Sequence, residues 1–118
     1  MLKKLIIFFF LVAAFSVTSV ASAATVATKA NYRFYCAQCH GVSGMGDGPN
    51  DRREMPVSPR DHTSNEEMSD LSDDDIISVI KEGGGATSKS TLMPPFAATL
   101  TGDEIEALKD YLRELCDC

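Results

Sequence analysis

Cys36-Ala37-Gln38-Cys39-His40 is the stretch on which the reading of this chain turns. In a helical turn these two cysteines and the histidine stand at i, i+3 and i+4 and share one face. Two thiols so placed can each form a thioether with a haem vinyl group, and the neighbouring imidazole then reaches the iron. That is the C-x-x-C-H spacing of c-type haem attachment. Moving the histidine by one position would swing it off the face. Two other chemistries use C-x-x-C. Zinc asks for a second Cys/His cluster at ligand spacing, but the only other cysteines are Cys116 and Cys118, and the only other histidine is His62. A thioredoxin-like redox pair belongs near a βαβ pattern, and no strand-like run is visible. The motif therefore predicts one covalent haem c, bound by Cys36 and Cys39, with His40 on the iron.

The N-terminus fits that chemistry. Lys3 and Lys4 precede an apolar run over Leu5–Val12 that extends to Val20, and Ala21-Ser22-Ala23 forms an A-x-A cleavage site. This is the pattern of a secretory signal. The run is short and interrupted by Ser16, Thr18 and Ser19, whereas a membrane span needs roughly 20 predominantly apolar residues. The expected division is a signal peptide over residues 1–23 and one domain over 24–118. Haem is attached to such motifs outside the cytoplasm, where free thiols otherwise tend to oxidise. A periplasmic location follows as the expectation. Membrane contact is expected only through a partner or an uncleaved signal.

Without residues 1–23 the chain has 95 residues and a formal charge of −8, since the signal holds two lysines and no acid. A domain of that size buries a limited core and gains from a staple. A covalently held, flat, apolar group would serve as one. The acidic balance argues against nucleic acid and anionic lipid as partners. It favours a redox partner protein with a basic docking patch.

Read in order, the domain predicts helices and connecting loops. Ala24–Thr28 reads as a loose lead and Lys29–Cys39 as the first helix, with Tyr32, Phe34 and Tyr35 as packing aromatics. Gly41–Pro49 (GVSGMGDGP) is a glycine-rich loop. It lacks the Lys-Ser/Thr of a phosphate-binding loop, so it is expected to lie close against a haem face or edge. Pro49 is a candidate carbonyl acceptor for the Nδ1–H of His40. The polar stretch Asn50–Asn65 shows no periodicity. In it Arg60 is a candidate propionate partner, Arg52 and Arg53 read as solvated, and His62 reads as a surface residue. Ser72-Asp73-Asp74-Asp75 resembles a capping box, with acids where the helix dipole favours them. The helix it opens buries Ile76, Ile77, Val79 and Ile80 and stops at Gly83-Gly84-Gly85. Thr91-Leu92-Met93-Pro94-Pro95-Phe96 must be extended, because proline disfavours helical conformation in the residue before it. A stiff strap of this kind can hold a thioether at a set distance from a metal, which makes Met93 the candidate second axial ligand. Met45, Met55 and Met68 read as core filler. Thr101-Gly102-Asp103-Glu104 is a capping box. It opens a last helix with Ile105, Leu108, Leu112 and Leu115 at helical spacing and with Lys109 and Arg113 on its outer face. Cys116 and Cys118 end the chain in a C-x-C whose redox state the residues leave open.

Together CAQCH at 36–40, the GDGP turn ending at Pro49, the MPPF strap at 93–96 and the final LKDYLREL helix resemble the class I c-type cytochromes. The likeness runs from about Lys29 to Leu115. It implies an all-α cytochrome c fold: three or more helices wrapped round one haem, the first crossing the last near a right angle. Tyr32, Leu108 and Tyr111 suit that crossing. The resemblance implies covalent haem at Cys36 and Cys39 and iron ligation by His40 and Met93. The chain departs from the family at Thr28 and Ala30, where many members place a glycine, and it contains no tryptophan. The terminal C-x-C is outside the pattern.

With both axial positions filled, no coordination site is left for a substrate. The expected function is one-electron transfer by a monomeric carrier in a respiratory chain, not catalysis. The neutral sulfur ligand would raise the potential relative to two imidazoles. One alternative is a haem subunit of a larger oxidoreductase complex. Another is an open-site haem enzyme or sensor, for which His62 is the one candidate acid–base group.

Overall fold

A computed structural model of the chain describes residues 24–51 and 56–118. The expected signal peptide (residues 1–23) and the readings made for Arg52, Arg53 and Met55 lie outside the described residues. Those described are helical with long connections and contain no strand, as the all-α reading requires.

The first helical unit, α1, covers residues 24–40. It is α-helical through residue 31, widens to a π-helical turn over Tyr32–Cys36, and closes with an α-helical turn over Ala37–His40. Residues 24–28 are therefore helical, not a loose lead. At the π turn the Ala37 N–H bonds to the Tyr32 carbonyl, five residues back. One residue is thus inserted just ahead of the cysteine pair, a device that re-aims the side chains that follow. Gly41, at φ 79°, ends the helix. Of the three aromatics in this region, Tyr32 is buried and Tyr35 packs against the core. Phe34, by contrast, is 73% exposed. The expected packing role fails there because the helix turns that position outward.

Helix α2 (Asn65–Ser69) is capped by Ser64, whose hydroxyl accepts from the Glu67 N–H, and it buries Met68. Helix α3 (Asp73–Ala86) opens with the full Ser72/Asp75 capping box, and α4 (Gly102–Cys116) with that of Thr101 and Glu104. Each box satisfies two backbone N–H groups that the first turn leaves without partners. Ile76 and Ile80 of α3 meet Ile105, Leu108 and Leu112 of α4 in the core, with Tyr32, Met68 and Leu100. Tyr32 and Tyr111 meet edge-on, 5.2 Å between ring centroids, and Asn31 donates to Glu104, so α1 does pack on the last helix.

Arg113 is not a solvated residue of an outer face. Its guanidinium donates to the carbonyls of Met68 (3.0 Å) and Leu71 (2.6 Å) and to Asp73 (2.9 Å), tying α4 to the end of α2 and the start of α3. The geometry suits arginine, because its fork sends separate N–H donors to acceptors that lie in different directions. Lys109 also pairs with Asp73, at 3.5 Å. Beyond the helix, Cys116 and Cys118 form a disulfide beside the left-handed Asp117.

Candidate functional site

Helix α3 bends where the triple glycine begins. Gly83 has φ 77° and ψ 166°, and one more turn follows to Ala86. In an unbroken helix the Gly84 N–H would bond to Ile80. Here it goes to the Met93 carbonyl (3.0 Å), and the Ile80 carbonyl accepts instead from Phe96 (3.0 Å). The strap thus takes the place of the missing helical bonds and is pinned on both sides of Pro94-Pro95. A Cβ on Gly83 would lie 2.8 Å from the Met93 carbonyl oxygen and 2.9 Å from the Pro95 nitrogen. The close approach of strap to helix therefore requires glycine.

The glycine-rich loop, expected close against the haem, contributes none of residues 41–49 to the lining of the cavity described below. It folds back on the cysteine turn through bonds from Gly46 N–H to the His40 carbonyl (2.8 Å) and from Gly48 N–H to that of Cys39 (3.0 Å). Gly41, Gly44, Gly46 and Gly48 are buried, while Val42, Ser43, Met45 and Asp47 face outward. Met45 is 59% exposed and is not core filler; Met68, 1% exposed, is.

Between these frames lies a cavity of about 300 Å³. Cys36, Cys39, His40 and Met93 all line it. Its other walls are mainly apolar: Tyr35 from α1, Ile76, Val79 and Ile80 from α3, Leu92 and Phe96 from the strap, and Leu108 and Leu112 from α4. Cys36, Cys39 and His40, from one helical turn, and the distant Met93 therefore share one apolar chamber, and their side chains are of types able to bind a porphyrin and its iron. Cys36 and Cys39 are free thiols. Before any thioether forms, burial pushes the Cys36 thiol up to about 12. Among the described residues no group of three or more His, Cys, Asp or Glu is placed to hold a metal ion.

His40 is oriented by a different partner from the one expected. Its Nδ1 lies 3.0 Å from the backbone carbonyl of Arg60, whereas Pro49 is exposed in the turn that follows Gly48. Proximity in sequence favoured Pro49, but the loop over residues 56–62 returns beneath the ring and supplies the acceptor. A carbonyl only accepts, so Nδ1 carries the proton and Nε2 keeps its lone pair free for a metal. Burial lowers the pKa of His40 and favours this neutral form. Arg60 also borders the cavity. Its guanidinium donates to the Glu67 carbonyl at 2.8 Å and pairs with the Glu67 carboxylate at 3.7 Å.

His62 was expected at the surface and is instead 8% exposed. Its ring stacks on that of His40, 4.0 Å between centroids and 17° from parallel. Its Nδ1 lies 2.9 Å from the Tyr32 hydroxyl, and its N–H donates to the Gly44 carbonyl at 2.7 Å. Burial pushes its pKa down to about 3, with the nearby His40 and Arg60 adding to the effect. Nothing in the polar sequence around it signals this. The placement follows from the return of the loop, which lays residues 60–62 against the π turn of α1.

The sequence pattern of the family described as cytochrome C oxidase, cbb3-type, subunit III matches residues 23–112. Among solved structures, the KustC0563 c-type cytochrome is similar, with 30% identity and a TM-score of 0.55 over 74% of this chain and 94% of that one. No curated protein matches the chain.

Proposed function

The chain belongs to the c-type cytochromes, through the family of cbb3-type cytochrome c oxidase subunit III, and from this premise we propose a one-electron carrier with His40 and Met93 as the axial ligands of its haem. Haem-based electron transfer and a covalently bound haem c are properties of the family itself. The cavity fits such a group, being apolar and bordered by two thiols, an imidazole with Nε2 free, and a thioether on a restrained strap. The bound haem would supply the redox couple. Cys36 and Cys39 would hold it covalently. His40, oriented by the Arg60 carbonyl, and Met93, restrained through Gly84, would bind its iron. Arg60 is the candidate for a propionate, sharing its guanidinium with Glu67. The apolar walls would keep water away, so that the protein's part is burial, ligation and docking.

The observation that carries the ligand assignment is the convergence of Met93 and His40 on the cavity that both cysteines border. The test is an optical spectrum with a pyridine haemochrome assay, before and after Met93→Ala. The expected outcome is a weak long-wavelength sulfur-to-iron band in the wild type that the variant lacks. A band that survives in Met93→Ala refutes the assignment. Cys36→Ala/Cys39→Ala should abolish haem that withstands denaturing electrophoresis.

The acidic balance, −6 for the whole sequence, supports docking on a basic patch of a redox partner, and the N-terminal signal pattern supports periplasmic work in a respiratory chain. Among the described residues no helix is long and apolar enough to cross a membrane. The family description favours a second reading, a haem subunit of a larger oxidase complex. Co-purification with such a complex at native abundance would select that reading. Isolation as a free 1:1 haem protein would select the carrier.

A further inference from the structure

The ligand assignment leaves one question about His40 open. Its ring is anchored at Cβ and by one hydrogen bond to a carbonyl. Carbonyl acceptors tolerate a broad range of directions, and the Cβ–Cγ torsion of histidine is soft. These two restraints alone leave the plane of the ring free to tip. A flat neighbour within van der Waals distance removes that freedom, and His62 is such a neighbour, nearly parallel at 4.0 Å.

His62 is itself held at several points. Its backbone N–H bonds to Gly44, its Nδ1 to the Tyr32 hydroxyl, and its ring meets that of Tyr32 at 64°. Gly44, at φ 89°, sits so close that an added Cβ would come within 3.4 Å of both His62 Cβ and the Tyr32 hydroxyl. Tyr32 is 1% exposed and belongs to the π turn immediately before Cys36. A buried aromatic in the haem-attachment helix therefore holds a second imidazole, and that imidazole lies flat against the first.

We infer that His62 is a positioning residue whose ring face, held by Tyr32, sets the plane of the His40 imidazole and so the orientation of the axial ligand at the haem iron. His62 also lines the cavity, with its Nδ1 engaged by the Tyr32 hydroxyl. The inference rests on His40 being an iron ligand. The orientation of an axial imidazole governs the anisotropy of low-spin ferric haem. It is read from the g-values by electron paramagnetic resonance and from the spread of haem-methyl shifts by proton NMR.

The test uses the holo-protein and two variants of similar bulk. His62→Phe keeps a flat ring and loses the Tyr32 hydrogen bond; His62→Leu fills the space without a flat face. The expected result is the wild-type g-values and methyl spread in His62→Phe, against shifted g-values and a reordered or doubled methyl set in His62→Leu. A wild-type pattern in His62→Leu overturns the inference. Equal displacement in both variants also overturns it, because the hydrogen bond and not the face would then be decisive. Should His62→Leu fail to fold, His62→Met replaces it. It too fills the space without a flat face, so it should shift the g-values and reorder the methyl set, and a wild-type pattern in it overturns the inference. Failure of the ligand assignment shows separately, as a wild-type spectrum without the strongly shifted ring protons of a bound histidine.

Discussion

Gly83→Ala tests whether the strap is held where the structure places it. Gly83 has φ 77° and ψ 166°, a region that residues with a Cβ essentially avoid, at a cost of about 1–3 kcal/mol. The new methyl would also stand 2.8 Å from the Met93 carbonyl oxygen, 2.9 Å from the Pro95 nitrogen and 3.1 Å from the Pro94 carbonyl carbon, all of them backbone atoms. Relief requires the strap to retreat by roughly half an ångström and strains the bond between Gly84 and Met93. Strain and clash together come to about 2–4 kcal/mol. In a domain of this size each kcal/mol lowers Tm by about 4–8 °C, so the loss should be about 10–25 °C. On the proposed ligation the same retreat draws the Met93 sulfur from the iron, and the sulfur-to-iron band should weaken or vanish. Gly85→Ala is the control. Its Cβ would come tightly only against the Thr91 Cγ2 methyl, at 3.3 Å, with the Thr91 Cα and Cβ at ordinary contact distance, and alanine favours helix, so Tm should change by less than about 5 °C with the band intact. Thermal unfolding followed by circular dichroism, with the optical spectrum beside it, reads both effects. A Gly83→Ala protein that melts within about 3 °C of wild type with its band unchanged refutes the reasoning, as does equal damage from Gly85→Ala.

Arg113→Ala removes the donor from two part-buried carbonyls and should cost about 2–3 kcal/mol, seen as a Tm lower by roughly 10–20 °C. Arg113→Lys should recover less than half of it, because an ammonium cannot span the same acceptors. Ser72→Ala should lower Tm by about 5 °C at neutral pH. The pKa of Asp75 lies below its ordinary 3.8, chiefly through its bonds with Ser72. A depressed carboxylate stabilises the fold above its unfolded pKa and loses that effect as pH falls through the folded one. The gap in Tm between wild type and Ser72→Ala should therefore hold from neutral pH to about 5 and narrow below about 4; a gap that is constant or widens in acid would contradict this. Reducing the Cys116–Cys118 disulfide opens a ring closed over a sequence separation of 2. The chain-entropy argument gives such a small ring only about 1–2 kcal/mol, so a Cys116→Ser/Cys118→Ser variant, which lacks the ring, should have a Tm lower by less than about 15 °C and an unchanged haem spectrum.

Much of this protein was legible along the chain. The spacing of Cys36, Cys39 and His40 implies its own chemistry, because three side chains on one helical turn need no long-range information to meet. Ser72 and Thr101 marked their helices for the same reason: a capping box closes within four residues. The prolines after Met93 bar a helix through local sterics, although the strap begins in a turn, with the Met93 N–H bonded to the Ser90 carbonyl at 3.3 Å. What escaped the sequence is what depends on chain return. The Arg60 carbonyl and the His62 ring reach His40 because a loop with no periodicity comes back under α1, and neither a backbone carbonyl nor a histidine in a polar run announces such a path. Arg113 read as an outer-face residue because helical spacing gives the direction of a side chain but not the carbonyls waiting beyond it. The π turn at Tyr32–Cys36 was invisible because inserting one residue in a helix changes no local preference; it is held by what Tyr32 touches on α4 and on the loop. Local sterics and spacing therefore named the group to be bound and the candidates to bind it. The packing of distant segments decided how the His40 ring is held, since that depends on contacts between residues far apart in the chain.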